Sequence, residues 1–254
     1  MDKKLQLVSI LNTYYNITEP IFNKLEGYIS TNFKIEAKGE IYVLKVYDNS
    51  AEILELITAE NKILLALKDE NVHCSEIIAN NSGDYNSITG KYIYRLLTFV
   101  SGTFLAESKH TATLMKSFGR TLADIDHSLF NLNIAAIKAK QIEWDLQHFQ
   151  KNWKYLSDIP DASDRSLVDY FCLQFNEHVL PLHYEFRQSI IHNDANDWNV
   201  LVQNDAITGI IDFGDMCYSW LINELAVALT YVLMDKENPL EIASQIIKAY
   251  HTKL

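Results

Sequence analysis

Residues 192–214 place two short polar motifs on either side of one apolar hairpin, and no other stretch restricts the fold as strongly. His192-Asn193-Asp194-Ala195-Asn196-Asp197-Trp198-Asn199 is a loop-forming run. Val200-Leu201-Val202 and Thr208-Gly209-Ile210-Ile211 flank a turn at Asn204-Asp205 and read as two antiparallel strands. Asp212-Phe213-Gly214 closes the unit, thirteen residues after Asn199. A hairpin of that length returns the chain to the end of the sheet it left. Asp212 is therefore expected beside Asn199, with Asp194 five positions earlier on the same loop.

Each motif alone is a weak signal. Polar loops with Asp and Asn are usually turns held by their own side chains, and an Asp-Gly turn after a strand is common. Both at this spacing is a far less frequent coincidence. The arrangement suits phosphoryl transfer, which needs a carboxylate near the attacking hydroxyl and hard oxygen donors for a metal on nucleotide phosphates. Asp194 suits the first role, and Asn199 and Asp212 suit the second as Mg²⁺ ligands. His192 is expected to buttress the loop.

The first third of the chain adds a candidate cation. Ile21–Leu25, 32–37 and 41–47 read as an antiparallel meander, followed by a helix from about Ala51 to Lys68 with Asp48-Asn49-Ser50 as its cap. In Tyr42-Val43-Leu44-Lys45, Val43 and Lys45 share one side of the strand, so Val43 could cover a purine while Lys45 reaches phosphates. A solvated strand lysine is the commoner case. Glu60 argues against it: it falls on the helix's apolar stripe with Leu56 and Leu64, where a carboxylate needs a partner. Lys45 is the expected partner, and a helix-edge glutamate reaching water is the alternative.

Other positions are softer. Gly27, Ser30 and Thr31 could cradle phosphates through backbone N–H groups. Phe99 and Val100 line a purine pocket or belong to the core. Asp197, Asp215 and Glu224 are candidates to face an acceptor amine. Asp215 and Glu224 are equally placed to cap a helix starting near Trp220.

The chain has 254 residues, 48% of them apolar, enough for a real core. Its strand-rich start and helix-rich remainder predict an α+β fold: an N-terminal lobe over 1–97, a connector at 98–102 and a C-terminal lobe over 103–254. Helices are expected at about 111–129, 141–156, 164–187, 221–234 and 239–250, with strands near 74–79 and 92–97. With 22 basic and 33 acidic residues the net charge is −11, which excludes nucleic acid as the main partner and suits a cationic substrate or plain solubility. Cys74, Cys172 and Cys217 are odd in number and far apart, as expected of reduced thiols in a cytoplasmic protein. Met1–Leu5 lacks the apolar core of a leader peptide, and Leu225–Met234 is too short to cross a membrane.

With these residues in hand, the chain resembles the aminoglycoside phosphotransferase and choline kinase superfamily. Within it, Asn196–Val202 and Ile211–Met216 are most similar to the hydroxylysine kinases and to the phosphotransferase domain of bacterial class III aminotransferase fusion proteins. The resemblance implies a two-lobed protein-kinase-like fold, ATP or GTP as donor and a small hydroxylated amine as acceptor. It also implies Asp194 as base, Asn199 and Asp212 on Mg²⁺, and Lys45 with Glu60 on the phosphates. Asn193 departs from the glycine usual in aminoglycoside kinases, although choline-kinase relatives carry asparagine there. The chain also stops soon after Tyr250, where many members continue, so an excised domain joined to others in a longer protein is one expectation.

Two rivals differ in class. A protein kinase would need an activation segment and an APE-like motif after Gly214, and neither is present. A nucleotide-binding regulatory module would bind Mg-nucleotide without turnover. A Walker-type NTPase is disfavoured because GxxxxGK[ST] does not occur.

Overall fold

Runs rich in β-branched and aromatic residues build the meander, β1 (Ile21–Leu25), β2 (Thr31–Ala37) and β3 (Glu40–Asp48). The computed structural model describes residues 3–254. Met1 and Asp2, which open the segment read above as lacking a leader, lie outside the described residues. Lys38 (φ 52°) and Gly39 (φ 86°) turn β2 into β3 with positive φ at both centres, the hairpin geometry whose twist matches that of the strands. β3 then pairs along its length with β6 (Tyr92–Thr98). β4 (Ile77–Ile78) and β5 (Ser87–Thr89) complete a six-stranded antiparallel sheet.

Helix α1 (Lys3–Tyr15) covers one face of this sheet, packing Leu7, Ile10 and Leu11 on Ile35, Leu44 and Leu96. The other face takes α2 (Ala51–Asp69), whose first turn is capped by the Ser50 hydroxyl accepting from the Ile53 N–H at 3.1 Å. β6 is thus covered on both sides and is buried from Ile93 to Leu97, Arg95 included.

The remainder is mostly helical. β7 (Thr103–Phe104) joins β9 (Val200–Gln203) and β10 (Ala206–Ile210) in a small sheet, and β8 (Gln188–Ile191) pairs with β11 (Cys217–Trp220). Around them lie α3 (Ala112–Leu129), α4 (Ala135–Ala139), α5 (Ala162–Gln174), α6 (Ile222–Leu233) and α7 (Pro239–His251). The main core is continuous from α2 to α7: Ile63, Leu64 and Leu67 meet Leu114, Met115 and Phe118, then Ile210, Val232 and Ile246. Each fully buried side chain of this kind contributes about 1.5–3 kcal/mol. The segment after α2 also clasps the hairpin, with the Ile210 N–H donating to the His73 carbonyl at 3.1 Å.

Three expectations need correction. Strand 74–79 shrinks to Ile77–Ile78, because Cys74 bridges instead to Ile210. The helix expected at 141–156 is a 3₁₀ segment, Leu146–Asp158, broken at His148. The helix expected at 164–187 ends at Gln174 and continues as a π turn (Phe175–Val179) and a 3₁₀ stretch (Leu180–Glu185). Pro181 has no N–H for an α-helical bond, so the regular ladder cannot run through it. Cys74, Cys172 and Cys217 are all buried and free, and no helix among the described residues is long and apolar enough to cross a membrane.

Gly119 lets α3 and α7 approach until a side chain would collide with the Ile246 backbone. Gly119→Ala should therefore lower stability by about 1–3 kcal/mol, read as a lower urea midpoint with an unchanged slope.

Candidate active site

The 192–199 loop leaves β8 and enters β9, and its shape is fixed from below. Glu224, buried in the first turn of α6, accepts from the His192 N–H (2.5 Å) and the Asn193 N–H (3.3 Å) with the same oxygen. His192 faces the Ile211 carbonyl through Nε2 at 3.0 Å. A carbonyl can only accept, so Nε2 carries the proton and Nδ1 is left to accept the Asp194 N–H at 3.3 Å. Burial holds this imidazole well below the usual histidine range, at about 4, so it stays neutral. Asn193 adopts φ 64°, a left-handed conformation that asparagine tolerates better than most residues, which gives the departure at this position a physical reason.

The side chains on top converge. Asp194 accepts from Asn196 Nδ2 at 2.8 Å and from Asn199 Nδ2 at 2.8 Å. Its carboxyl is raised, first by burial and then by the charges of Asp215 and Asp212, with the amide bonds opposing. The Ile211 N–H donates to the Asn199 carbonyl at 2.9 Å, so the hairpin does set Asp212 next to Asn199. Asp212 itself has a left-handed backbone (φ 63°, ψ 69°), and Phe213 packs against the His192 ring at 4.6 Å.

From the other lobe, Lys45 reaches Asp212 at 2.8 Å. Burial works against the lysine's charge, but Tyr47, Asp212 and Glu60 outweigh it and raise its pKa. Asp212 is held below the usual carboxylate range because Lys45 overcomes the effect of burial. Glu60 does not take Lys45 as its direct partner, which corrects the pairing expected from the sequence. Its carboxylate receives Arg95 Nη1 at 2.9 Å, and the same nitrogen donates to the Tyr47 hydroxyl at 3.0 Å. Arg95 is fully inaccessible. Sequence reasoning missed it, although a charged residue inside the run Tyr92–Leu97 was signal enough.

A metal could be held here. Asn199 spends Nδ2 on Asp194, which leaves its Oδ1 to ligate, and Asp212 is half exposed. No group of three His, Cys, Asp or Glu poised for a metal occurs among the described residues. Two hard oxygen donors fit Mg²⁺ that completes its shell with phosphate oxygens and water.

The softer candidates divide. Ser30 donates to Asn32 (2.6 Å), which in turn donates to the Glu26 carbonyl (2.9 Å), bracing the 27–30 loop at the mouth of a cavity that Lys45, Glu60, Asp212 and Asp215 also line. Thr31 faces a neighbouring surface pocket. Val43 packs partly buried against the main core. The Phe99 N–H is taken by the Ile41 carbonyl at 3.3 Å and Val100 presses on Gly209, so neither lines that cavity. The Asp197 carbonyl ties down the Ala106 N–H at 3.0 Å. Glu224 points into the core, not toward an acceptor, and its carboxylate braces the loop rather than capping α6. Lys140, also unforeseen, donates to the Gly214 and Met216 carbonyls and fixes the turn beyond Asp212, beside Asp215.

A model of the phosphotransferase enzyme family matches residues 24–253. The hydroxylysine kinase of Xenopus laevis is 25% identical over 97% of this chain and 74% of its own length, and that of Mus musculus 24% identical over 97% and 73%. Among solved structures, a microcompartment-associated aminopropanol kinase superposes with a TM-score of 0.76 (17% identity, 99% of this chain and 81% of that one). An amicoumacin kinase in complex with AMP-PNP, Ca²⁺ and Ami superposes with a TM-score of 0.75 (16% identity, 100% and 78%).

Behind the loop, one oxygen of Glu224 and one of Asp126 are buried without a partner, while the other oxygen of Asp126 accepts from Tyr250 at 2.6 Å. Burial first, and then mutual repulsion for Asp126, raise both carboxyls, Glu224 to about 7. Each raised pKa means that the folded chain holds a proton the unfolded chain would lose. The stability this gives is present below the unfolded carboxylate pKa and lost as pH rises toward about 7. Asp126→Asn should make urea stability fall less than the parent's between pH 5 and pH 8, since asparagine supplies a donor without titrating. An identical slope in both proteins would refute the assignment.

Proposed function

Because this chain belongs to the phosphotransferase enzyme family, and is a small-molecule kinase, we propose that it transfers the γ-phosphoryl group of ATP or GTP to a hydroxyl of a small amine. The observation that carries the reading is the meeting of Lys45, Asp194, Asn199 and Asp212 at one place, joined by the contacts described above. Asp194 accepts the proton of the acceptor hydroxyl as its oxygen attacks phosphorus. The bond to the β-phosphate oxygen breaks, and the nucleoside diphosphate leaves. Lys45 steadies the α- and β-phosphates, and the 27–31 loop with Ser30 and Thr31 closes over them. Val43 covers the purine, and Phe99 and Val100 contribute main-chain or packing contacts nearby. Asn199 and Asp212 would hold Mg²⁺, which spreads the negative charge of the triphosphate.

The raised pKa of Asp194 matches its task, since a base works best when its pKa is brought toward the working pH. Asp215 and Asp197 are the carboxylates available to an acceptor ammonium. Relatives are named for hydroxylysine and aminopropanol, both hydroxylated amines, and the net charge of −11 favours such cations. Buried free thiols suit a cytoplasmic setting. The lobes are assigned to 1–97 and 103–254, with 98–102 as the hinge between them.

Asp194→Ala should lower kcat by roughly 10²–10⁴-fold and leave the Kd for Mg-nucleotide within about threefold, well under the tenfold that 1.4 kcal/mol represents. Asp212→Ala should weaken Mg-nucleotide binding itself. Turnover of hydroxylysine, amino alcohols, choline and aminoglycosides with Mg-ATP and Mg-GTP identifies the acceptor and donor. Undiminished turnover by Asp194→Ala would overturn the base assignment.

A further inference from the structure

We propose that Arg95 is a positioning residue for nucleotide binding: by keeping the carboxylate of Glu60, it leaves the ammonium of Lys45 to the triphosphate. The inference rests on the reading that Lys45 meets phosphate, and it adds a residue to that site. Lys45 and Arg95 are direct neighbours across the β3–β6 ladder, and both face α2. One carboxylate, Glu60, therefore lies within reach of two cations. The hydrogen bond goes to Arg95 at 2.9 Å, and Lys45 extends to Asp212, 167 residues away.

The choice follows from what each cation can do without Glu60. Arg95 is fully buried, and its Nε and Nη2 have no partner at all. Its charge is answered only by Glu60, with help from the Tyr47 hydroxyl and ring. Removing Glu60 from it would strand a buried cation, the most costly arrangement available. Lys45 has an alternative in Asp212, which is half exposed. When Asp212 turns to a metal ion, the lysine is left without a carboxylate and with its charge intact, next to the position of the phosphates. A lysine held by Glu60 would offer the triphosphate a neutralised pair instead. The guanidinium is thus the reason the lysine is free.

The simpler role for Arg95, fastening α2 to the sheet, makes a different forecast, and a double substitution separates the two. In Arg95→Met, Glu60 has only Lys45 to pair with. The Kd for Mg-ATP, measured with a fluorescent nucleotide, should rise about tenfold or more, the scale of one buried charge-assisted hydrogen bond. KM for the nucleotide should rise in parallel, with kcat nearly kept. In Arg95→Met/Glu60→Leu the competing carboxylate is gone and an apolar pair fills the space, so nucleotide affinity should return to within about threefold of the parent, less than the tenfold step of 1.4 kcal/mol. Glu60→Gln alone should bind nucleotide far better than Lys45→Met. If Arg95→Met fails to fold, the last two comparisons still decide. A double variant that folds yet binds as weakly as Lys45→Met, or an Arg95→Met that binds like the parent, overturns the proposal. A parent that binds no nucleotide overturns the functional reading itself, a distinct result.

Discussion

A guanidinium enclosed on every side organises the end of the sheet where the two lobes meet. Arg95 lies in the middle of β6, roofed by α1 on one face and α2 on the other. Leaving such a charge unpaired would cost about 3–5 kcal/mol, a large share of the stability of a domain. Glu60 must therefore be present, and that requirement fixes the depth and rotation of α2 against the sheet. With Glu60 committed, Lys45 extends toward the Asp212 turn, and the chain's two most distant functional segments become neighbours.

The site is layered by charge. Above the 192–199 loop lie ionised groups, with Glu60 and Asp212 held low by their cations. Below it, the groups that hold the loop are kept uncharged or pushed that way: His192 neutral, Asp126 and Glu224 raised by burial. Neutral supports can sit in a dry interior at small cost, whereas a second layer of full charges could not. Asp194 stands at the boundary, half-buried, with amide donors on one side and open space on the other.

Much of this was legible in the sequence because local chemistry dictates it. The meander, the Ser50 cap and the Asn204-Asp205 turn follow from strand alternation and turn residues, and Asp212 follows Asn199 because a short hairpin returns where it began. The misreading at Glu60 has a clear origin. Its burial was correctly inferred, but the partner was chosen from the phosphate-binding pattern instead of by asking which cation had nowhere else to go. Glu224 shows the other boundary of sequence reasoning: helical spacing shows that a face is buried, not which loop it meets. Leu167, Tyr170 and Phe171 carry a helix-like apolar pattern yet remain exposed on α5, and there the periodicity overstated the core.

The floor under the catalytic loop is supplied late in the chain. Glu224 lies on α6, and the Tyr250 hydroxyl reaches Asp126 from α7. During synthesis the nucleotide-facing sheet emerges and folds first, since domains form in order from the N-terminus. A nascent chain can thus assemble Lys45 and its surroundings while Asp194 still lacks its support. Competence for chemistry arrives only when the last helix docks, which spares the cell the futile hydrolysis that half-made copies could otherwise carry out.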